Sequence, residues 1–354
     1  MTLEEFFQYL IFGIQDGSIF ALIGLGFTII YSVTNIINFA QGEFVMLGGM
    51  LSYMLTKSID IPTPPTIVIS LLVAAAIGIY IYHMRSKRIS LFLAGMLIAV
   101  VLGSIPLTLY IFEKLYSFEF NVPAASILSI LLVGMIGGIF YILAIRSARR
   151  PSPVTLIIIT IGAALFIRGI AGEMWGIRPQ YTPVYWDRDS LELMGSFIHT
   201  QTIWIFSAAF LVTILLQIFF TYTMLGKSLK ACAVNPAGAG LMGINPKTMA
   251  LIAFVLAAVI GAVIGAIITP KTGMDYNRGF VLGLYGFVAA SLGGFRSHLG
   301  AVLGGLLLGI VMSIVTGISW GPFTSGYKDV WAMALLIIIL LLRSQRLAEE
   351  ERLS

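Results

Sequence analysis

A cluster of polar side chains interrupts an apolar stretch near the start of the chain. Asn35, Asn38, Gln41 and Glu43 lie among Ile, Phe, Val and Leu in the segment NIINFAQGEFVML. Placing an ionised carboxylate in hydrocarbon costs roughly 2.5–3.5 kcal/mol on insertion scales, so membrane proteins keep such residues mainly where they serve a function. We expect a broken helix here whose polar groups, Asn38, Gln41 and Glu43, can be reached from a substrate pathway.

The same cluster also has a structural interpretation. Asn38 can cap a second helix, and Gln41, three residues later, can reach back to complete a capping box. Glu43 would then lie in the first turn, where the positive end of the helix favours an anion. The two interpretations are compatible, and the sequence leaves both open.

A second polar segment, residues 223–248, reads TMLGKSLKACAVNPAGAGLMGINPKT. Its pattern predicts two short helices, over 228–234 and 237–242, on either side of a break at Asn235-Pro236. Neither piece can span a bilayer. Flanked by lysines, the pair could lie on the membrane surface or dock into a groove of a partner protein, and composition does not decide between these.

Catalytic constellations are absent from the sequence. It has no Walker lysine loop, no H-E-x-x-H and no Ser–His–Asp set with plausible geometry. The histidines, His83, His199 and His298, are scattered, and the lone cysteine, Cys232, offers neither an internal disulfide nor a metal cluster. We therefore expect no catalytic residue, no metal site and no cofactor in this chain, which is not expected to be an enzyme.

The composition predicts an all-α, polytopic helical membrane protein. Of 354 residues, 58% are hydrophobic and only 10% are charged, too few to cover a soluble domain of this size. We expect about 11 membrane segments, of which 43–56 and 280–295 are short enough to be half-helices. The full set is 11–31, 43–56, 66–83, 90–112, 126–145, 153–175, 202–222, 249–269, 280–295, 299–318 and 330–342.

The loops predict an orientation. The basic loops at 85–88, 146–150 and 226–247 and the basic C-terminal segment fall on one side if the spans alternate, whereas acidic residues collect on the other. Cytoplasmic loops are rich in Lys and Arg, so the N-terminus is expected outside and the C-terminus in the cytoplasm. The net charge of +5 therefore needs no nucleic-acid partner, and membrane lipid is the expected surrounding.

Several stretches together resemble one family. Residues 17–55, GSIFALIGLGFTIIYSVTNIINFAQGEFVMLGGMLSYML, look like the opening of the LivH-type permeases of branched-chain amino acid ABC importers. LGKSLKACAVNPAGAGLMGIN (225–245) resembles their cytoplasmic coupling loop. AASLGGFRSHLGAVLGGLLLGI (289–310) and YKDVWAMALLIIILLLR (327–343) resemble later stretches in the same order. The resemblance covers about 1–56 and 135–345.

The chain departs from the family pattern at several positions. Gln41 replaces the usual His of NFAHGE, Lys230 replaces an Arg, and Val234-Asn235 replaces a frequent acidic pair. Residues 66–112 look like an inserted helical hairpin, which we expect to be peripheral. Members of the wider group resemble carriers of urea, short amides and aromatic carboxylates. Because of these departures, the sequence leaves the solute open between those compounds and branched-chain amino acids.

The resemblance implies an ABC importer permease fold, with residues 1–354 forming one transmembrane domain in a prokaryotic cell (inner or plasma) membrane. A LivM-like second permease, two cytoplasmic ATPases and an external solute-binding protein, periplasmic or lipid-anchored, would complete the importer. Residues 223–248 would form the coupling loop. Its expected ATPase-coupling residues are Gly226, Lys227, Lys230, Ala231, Asn235, Gly238 and Gly243.

Two rival functions remain at this stage. An ion-coupled secondary transporter would need intramembrane ionisable residues beyond Glu43. Arg168 and Glu173 are expected near the outer end of their segment rather than in its middle, and Asp275 and Arg278 also fall near segment ends, which argues against that function. A membrane scaffold without a pathway is the second rival.

Overall fold

The structure, a computed structural model, describes residues 3–57, 120–148, 152–185, 191–193, 196–318, 325–338 and 341. The predicted segments 66–83 and 90–112, and with them the hairpin expected at 66–112, lie outside these residues. The described part is helical apart from one two-stranded antiparallel ladder, β1 (Leu191–Leu193) with β2 (Ser196–Ile198). The expected all-α class is confirmed.

The helices follow the predicted apolar segments closely. Before the ladder, they are α1 (Leu3–Thr34), α2 (Gln41–Thr56), α3 (Val122–Phe140, continued by a π-helical turn at Tyr141–Ile145) and α4 (Pro153–Trp175). After it come α5 (Thr200–Tyr222), α6 (Met224–Val234), α7 (Pro236–Leu241), α8 (Pro246–Thr272), α9 (Arg278–Gly293) and α10 (His298–Gly317). A 3₁₀ turn at Ser325–Tyr327 leads into a further helix over 328–338.

Six of the described helices are long and apolar enough to cross a membrane. In contrast, α2 and α9 have 16 residues each, fewer than the ~20 that a straight span needs. The prediction that these two segments are short is therefore confirmed. The protein is a multi-pass helical membrane protein in which α2 and α9 are too short to cross the bilayer as straight spans.

The two short helices begin against each other inside the bundle. A Cβ atom built on Gly42, in the first turn of α2, would lie 2.0 Å from the carbonyl oxygen of Gly279, in the first turn of α9. A Cβ atom on Gly279 would lie 2.7 Å from the carbonyl oxygen of Gly42. Only glycine allows the two backbones to approach this closely. The N-terminal ends of α2 and α9 therefore meet at one point.

Small residues also hold the longer helices together. Gly305 and Gly309 of α10 lie directly against Ala21 and Gly17 of α1. On α8, a Cβ atom at Gly265 would stand 1.9 Å from the carbonyl oxygen of Val45 in α2. Close backbone approach at small residues is the usual way in which membrane helices associate. Gly300, Gly304, Gly305 and Gly309 thus line a surface of close helix packing on α10.

The inner and outer helices differ in burial. In α1, α2 and α8 most side chains are buried in the shared core, whereas α3, α4 and α5 point large apolar side chains outward. Ile127, Val154 and Phe210, for example, are 61%, 64% and 70% exposed. Lipid-facing surfaces have this composition. The polar side chains Asn38, Gln41 and Glu43 at the start of α2 are, by contrast, fully buried.

Candidate functional site

The polar cluster begins where α1 ends. Asn35 adopts the left-handed conformation, with φ of 53°, and its backbone N–H donates to the carbonyl of Tyr31 at 2.8 Å. Asn tolerates this conformation better than other non-glycine residues, and it ends helices in this way. Its Oδ1 accepts a 3.1 Å hydrogen bond from Nη2 of Arg296. The end of α1 is therefore tied to the connection between α9 and α10.

The predicted capping box is wrong. The residue before α2 is Ala40, and no side chain caps that helix. Asn38 instead closes a tight turn, because its Oδ1 accepts from the backbone N–H of Ala40 at 3.1 Å. Gln41 does not reach back to it. The break is anchored from outside as well, since the N–H of Phe39 donates to Oγ1 of Thr160 in α4 at 3.3 Å.

Gln41 bridges two neighbouring helices. Its Nε2 donates to the carbonyl of Ala257 in α8 at 2.9 Å. On its other side, the amide occupies the space where a side chain on Gly26 of α1 would stand, 2.2 Å from the position of that Cβ. Gln41 is fully buried. It therefore acts first as a packing bridge between α1 and α8.

Glu43 forms a buried ion pair with Arg168 of α4. The distance between Glu43 Oε1 and Arg168 Nη2 is 2.7 Å, and the two side chains are 1% and 16% exposed. The guanidinium also stacks on the ring of Phe280 at 4.5 Å, a favourable cation–π contact. Arg168 is therefore fixed between a carboxylate of α2 and an aromatic ring of α9.

The groups around the Glu43 carboxylate carry full or partial positive charge. Glu43 lies in the first turn of α2, as predicted, and its Oε2 lies 3.2 Å from the position of a Cβ on Gly279 in the first turn of α9. The N-terminal ends of both helices thus face the same carboxylate, and each carries a partial positive charge. Together with Arg168, they offset the cost of burying the anion.

Polar atoms at this junction are incompletely satisfied. Asn38 Nδ2, Gln41 Oε1, Glu43 Oε2 and Arg168 Nε are buried without a hydrogen-bond partner among the described residues. Such groups cost roughly 1–3 kcal/mol each when they are left unpaired, so proteins keep few of them without a function. The junction therefore has spare hydrogen-bonding capacity in the conformation seen here.

The sequence alone does not indicate Arg168 as the partner of Glu43. It predicts the arginine near the outer end of its segment and pairs it with no particular residue. Arg168 lies in α4 beside the first turn of α2, because α2 begins inside the bundle. The sequence shows only that one apolar helix carries a cation and another carries an anion. It does not show which faces of the two helices are in contact.

The segment 223–248 forms the two predicted short helices, α6 and α7. The first helix begins at Met224 rather than Ser228, since Thr223 Oγ1 accepts from the N–H of Gly226 at 3.0 Å. Asn235 ends α6 and caps α7 through a 3.0 Å bond from the N–H of Gly238. Gly243 ends the pair with a positive φ of 83°.

The expected coupling residues divide into two groups by burial. Gly226 is buried, and a Cβ there would lie 2.1 Å from the carbonyl oxygen of Phe219 in α5, so it packs inside this chain. The others are exposed or half-buried along α6 and α7: Lys227, Lys230, Ala231, Asn235, Gly238 and Gly243. Val234, Leu241 and Met242 are 87%, 90% and 83% exposed. Val234, Leu241 and Met242 therefore form an exposed apolar surface on a basic helix pair whose Leu229, Cys232 and Ala239 are buried against the bundle.

The fold and the two sites define a class of protein. The two half-helices α2 and α9, the buried ion pair at their junction and the exposed apolar surface of α6 and α7 are an arrangement suited to a transport subunit. Among the described residues, no group of three or more His, Cys, Asp or Glu side chains could hold a metal ion.

Comparison with known proteins identifies the family. The sequence model of the family described as "Branched-chain amino acid transport system / permease component" matches residues 9–112 and 89–342. The chain belongs to this family. The family resemblance inferred from the motifs is thereby confirmed.

Individual relatives support the same assignment across the whole length. The permease protein LivH of the high-affinity branched-chain amino acid transport system of Salmonella typhimurium is 29% identical over 341 residues, covering 95% of this chain and 93% of LivH. The corresponding protein BraD of Pseudomonas aeruginosa is 29% identical over 344 residues, covering 96% and 94%. A probable LivH of Methanocaldococcus jannaschii is 23% identical over 329 residues, covering 91% and 85%. No solved structure matches the chain significantly.

Proposed function

We propose that this chain is the permease subunit of an ABC importer for branched-chain amino acids. Its likeness to LivH and BraD over about nine-tenths of both chains carries the proposal, since the names of those relatives specify that solute and that role. A LivM-like second permease completes the pathway, two cytoplasmic ATPases hydrolyse ATP, and an external binding protein delivers the solute. The chain itself needs no cofactor and performs no catalysis.

Reconstitution of the complete transporter in liposomes tests this function. Uptake of L-leucine, L-isoleucine and L-valine should require ATP, both ATPases and the binding protein, and unlabelled urea or benzoate should not compete. Uptake by the chain without ATPases, driven by an ion gradient, would instead indicate a secondary transporter. Failure of any solute to stimulate ATP hydrolysis by the assembled complex would favour a scaffolding role.

The helix pair α6–α7 is proposed to dock on an ATPase subunit. The support is its basic flanks, its exposed apolar side chains and its small residues, Ala231 and Gly238, which allow close approach of a partner surface. Cysteines placed at exposed positions in 226–243 should cross-link to an ATPase. Reaction of those cysteines with an impermeant reagent added outside intact cells would contradict both this docking and the cytoplasmic placement.

The orientation, with the N-terminus outside and the C-terminus in the cytoplasm, is part of the proposal. It rests on the excess of Lys and Arg in one set of loops. An impermeant thiol reagent should label a cysteine introduced at exposed Tyr181, in a variant that lacks Cys232, but not one introduced at Val234. The reverse pattern would invert the topology.

The junction of α2 and α9 is proposed to form part of the substrate pathway, with Asn38, Gln41 and Glu43 as its polar groups. All three are fully buried within the single chain, so the pathway must open by separating the first turns of α2 and α9. The unsatisfied polar atoms would then be available to water or solute. The Glu43–Arg168 pair would hold this junction closed between transport cycles.

A further inference from the structure

A cavity of about 330 Å³ lies beside the start of α9. This volume is within the ~300–1,000 Å³ range of small-molecule sites. One part of its wall is apolar and is formed by α1, the end of α8 and α9, including Ile19, Phe20, Val281 and Leu282. The other part carries two acidic and two basic side chains, Asp16, Asp275, Arg278 and Lys328.

The charges of the cavity are balanced but not all paired. Asp16 Oδ2 and Lys328 Nζ form an ion pair at 2.6 Å, with side chains that are 27% and 32% exposed. Partly exposed pairs of this kind contribute only about 0–1 kcal/mol. A ligand that offers equivalent charges can therefore replace this contact at little cost.

Among the described residues, Arg278 is the cation of the cavity without a charged partner. Its backbone N–H is bonded to Asp275 Oδ1 at 3.0 Å, and Asn277 donates to the same oxygen at 2.8 Å, so this carboxylate is engaged by backbone groups. The buried Nε of Arg278 has no hydrogen-bond partner among the described residues, and none of them forms a salt bridge with its guanidinium within 4.0 Å. A guanidinium at the positive end of a helix is suited to bind a carboxylate.

We propose that this cavity binds a free zwitterionic α-amino acid, with its carboxylate on Arg278, its ammonium on Asp16 and its aliphatic side chain against the wall of Phe20 and Leu282. The inference rests on the proposed function and names the residues of this chain that would recognise the solute. A zwitterion brings both charges at once, so it opens the Asp16–Lys328 pair and leaves Lys328 to share the ligand carboxylate. A monocarboxylate can use only Arg278 and an amine only Asp16, so each gains one charged contact where the zwitterion gains two.

The position of the cavity fits the receipt of solute from outside. Asp275 belongs to the connection between α8 and α9, which pairs with loop 176–185 through reciprocal 2.8 Å backbone bonds between Gln180 and Met274. In the expected orientation, with the loop 226–247 in the cytoplasm, both segments lie at the opposite, external end of their helices. The cavity therefore lies where a binding protein would release its solute. Its acidic and basic side chains would bind the solute there before the solute reaches the α2–α9 junction.

Thermal unfolding of the purified transporter complex, without binding protein, tests the site. L-Leucine should raise the unfolding midpoint of the wild-type complex. 4-Methylpentanoate, which lacks the ammonium, and 3-methylbutylamine, which lacks the carboxylate, should each raise it less at the same concentration. Arg278→Gln should raise the leucine concentration needed for a given shift by about tenfold or more, the size expected for a lost charged hydrogen bond. Arg278→Lys should restore part of the lost affinity. Arg178→Gln, an exposed charge change in loop 176–185, is the matched control.

Three results would overturn the inference. They are the absence of a leucine-dependent shift in the wild type, equal shifts with the singly charged analogues, and an unchanged leucine response in Arg278→Gln. A shift with short-chain phosphatidylethanolamine but not with leucine would assign the cavity to a lipid headgroup and would also overturn it. ATP-driven leucine uptake by the wild-type importer, measured separately, distinguishes failure of this site from failure of the proposed function.

Discussion

Glu43 and Arg168 lie 2.7 Å apart although 125 residues separate them in the chain. The pair connects the first turn of a half-helix to an outer helix that otherwise exposes apolar side chains. Both partners are largely removed from water, so each depends on the other for charge compensation. Removing one charge should therefore cost more than removing both.

Glu43→Gln tests this dependence with little change of shape. We expect it to destabilise the folded protein by about 3 kcal/mol, since a broken buried pair leaves an uncompensated charge on Arg168. The double variant Glu43→Gln/Arg168→Gln should recover part of this loss. Thermal unfolding in detergent measures both, and the partly exposed pair Asp16–Lys328 provides the comparison, with an expected loss of less than about 1 kcal/mol for Lys328→Gln.

The same variant tests the pathway. Glu43→Gln should lower leucine uptake and solute-stimulated ATP hydrolysis in the reconstituted importer, even at a temperature where the variant remains folded. Wild-type levels of both activities would mean that Glu43 only supports the structure.

Gly42→Ala should separate the first turns of α2 and α9. Its Cβ would lie 2.0 Å from the carbonyl oxygen of Gly279, and backbone atoms cannot move aside as a flexible side chain can. We expect a loss of about 1–3 kcal/mol in unfolding free energy, the usual cost of overpacking. Gly162→Ala on α4, where nothing lies within 4 Å of the new atom, should be neutral or slightly stabilising. Equal effects of the two changes would show that the contact does not exist.

Asn35→Val should strain the end of α1. A β-branched residue is unfavourable at a φ of 53°, and the hydrogen bond to Arg296 would also be lost. We expect a cost of about 1–3 kcal/mol. Asn35→Gly should be much milder because glycine accepts this conformation. If the two variants unfold at the same midpoint, strain does not contribute.

Leu241→Glu should uncouple ATP hydrolysis from transport. Leu241 is 90% exposed, so the change should leave folding and membrane insertion intact while it disrupts the proposed apolar contact with an ATPase. Ala231→Glu should act in the same direction. Gly238 is a less suitable position, because a Cβ there would already lie 3.1 Å from the side-chain amide of Asn235. Normal solute-stimulated ATP hydrolysis and uptake in Leu241→Glu would place the docking surface elsewhere.

Cys232 should react slowly with maleimides in the folded protein. The thiol is buried in α6, and burial raises its pKa above the ordinary range, so less of the reactive thiolate is present at neutral pH. Labelling should accelerate as the pH rises towards the raised pKa. A cysteine at exposed position 234, in a variant carrying Cys232→Ser, should label many times faster at neutral pH. Comparable rates would contradict the burial of Cys232.

Much of the fold could be predicted because each membrane helix leaves its own apolar run in the sequence. The break after α1, the short α2 and α9 and the helix pair around Asn235-Pro236 follow from local composition. Helix ends were less certain. For example, α1 extends back to Leu3, with Glu4 and Glu5 in its first turn, where acidic residues favour the helix.

The candidate site could be predicted only in part, because partners across helices depend on how each helix is rotated about its axis. Gln41 has the same local sequence whether it bonds to Asn38 or to Ala257, and the close approach of α8 decides between them. The cavity is still less visible in the sequence. Asp16, Arg278 and Lys328 come from three distant parts of the chain, and only packing brings them together.

The corner between α5 and α6 has a mechanical consequence. Thr223 is the single residue between the two helices, its N–H and Oγ1 both donate to the carbonyl of Phe219, at 3.2 and 2.7 Å, and Gly226 packs into the same corner. With 23 and 11 residues, the two arms are about 34 Å and 16 Å long. A stiff corner makes them a bent lever, so a 1 Å push at the tip of α6 would become a displacement of roughly 2 Å at the far end of α5. That far end carries Thr202, which is hydrogen-bonded to Gln15, the neighbour of Asp16.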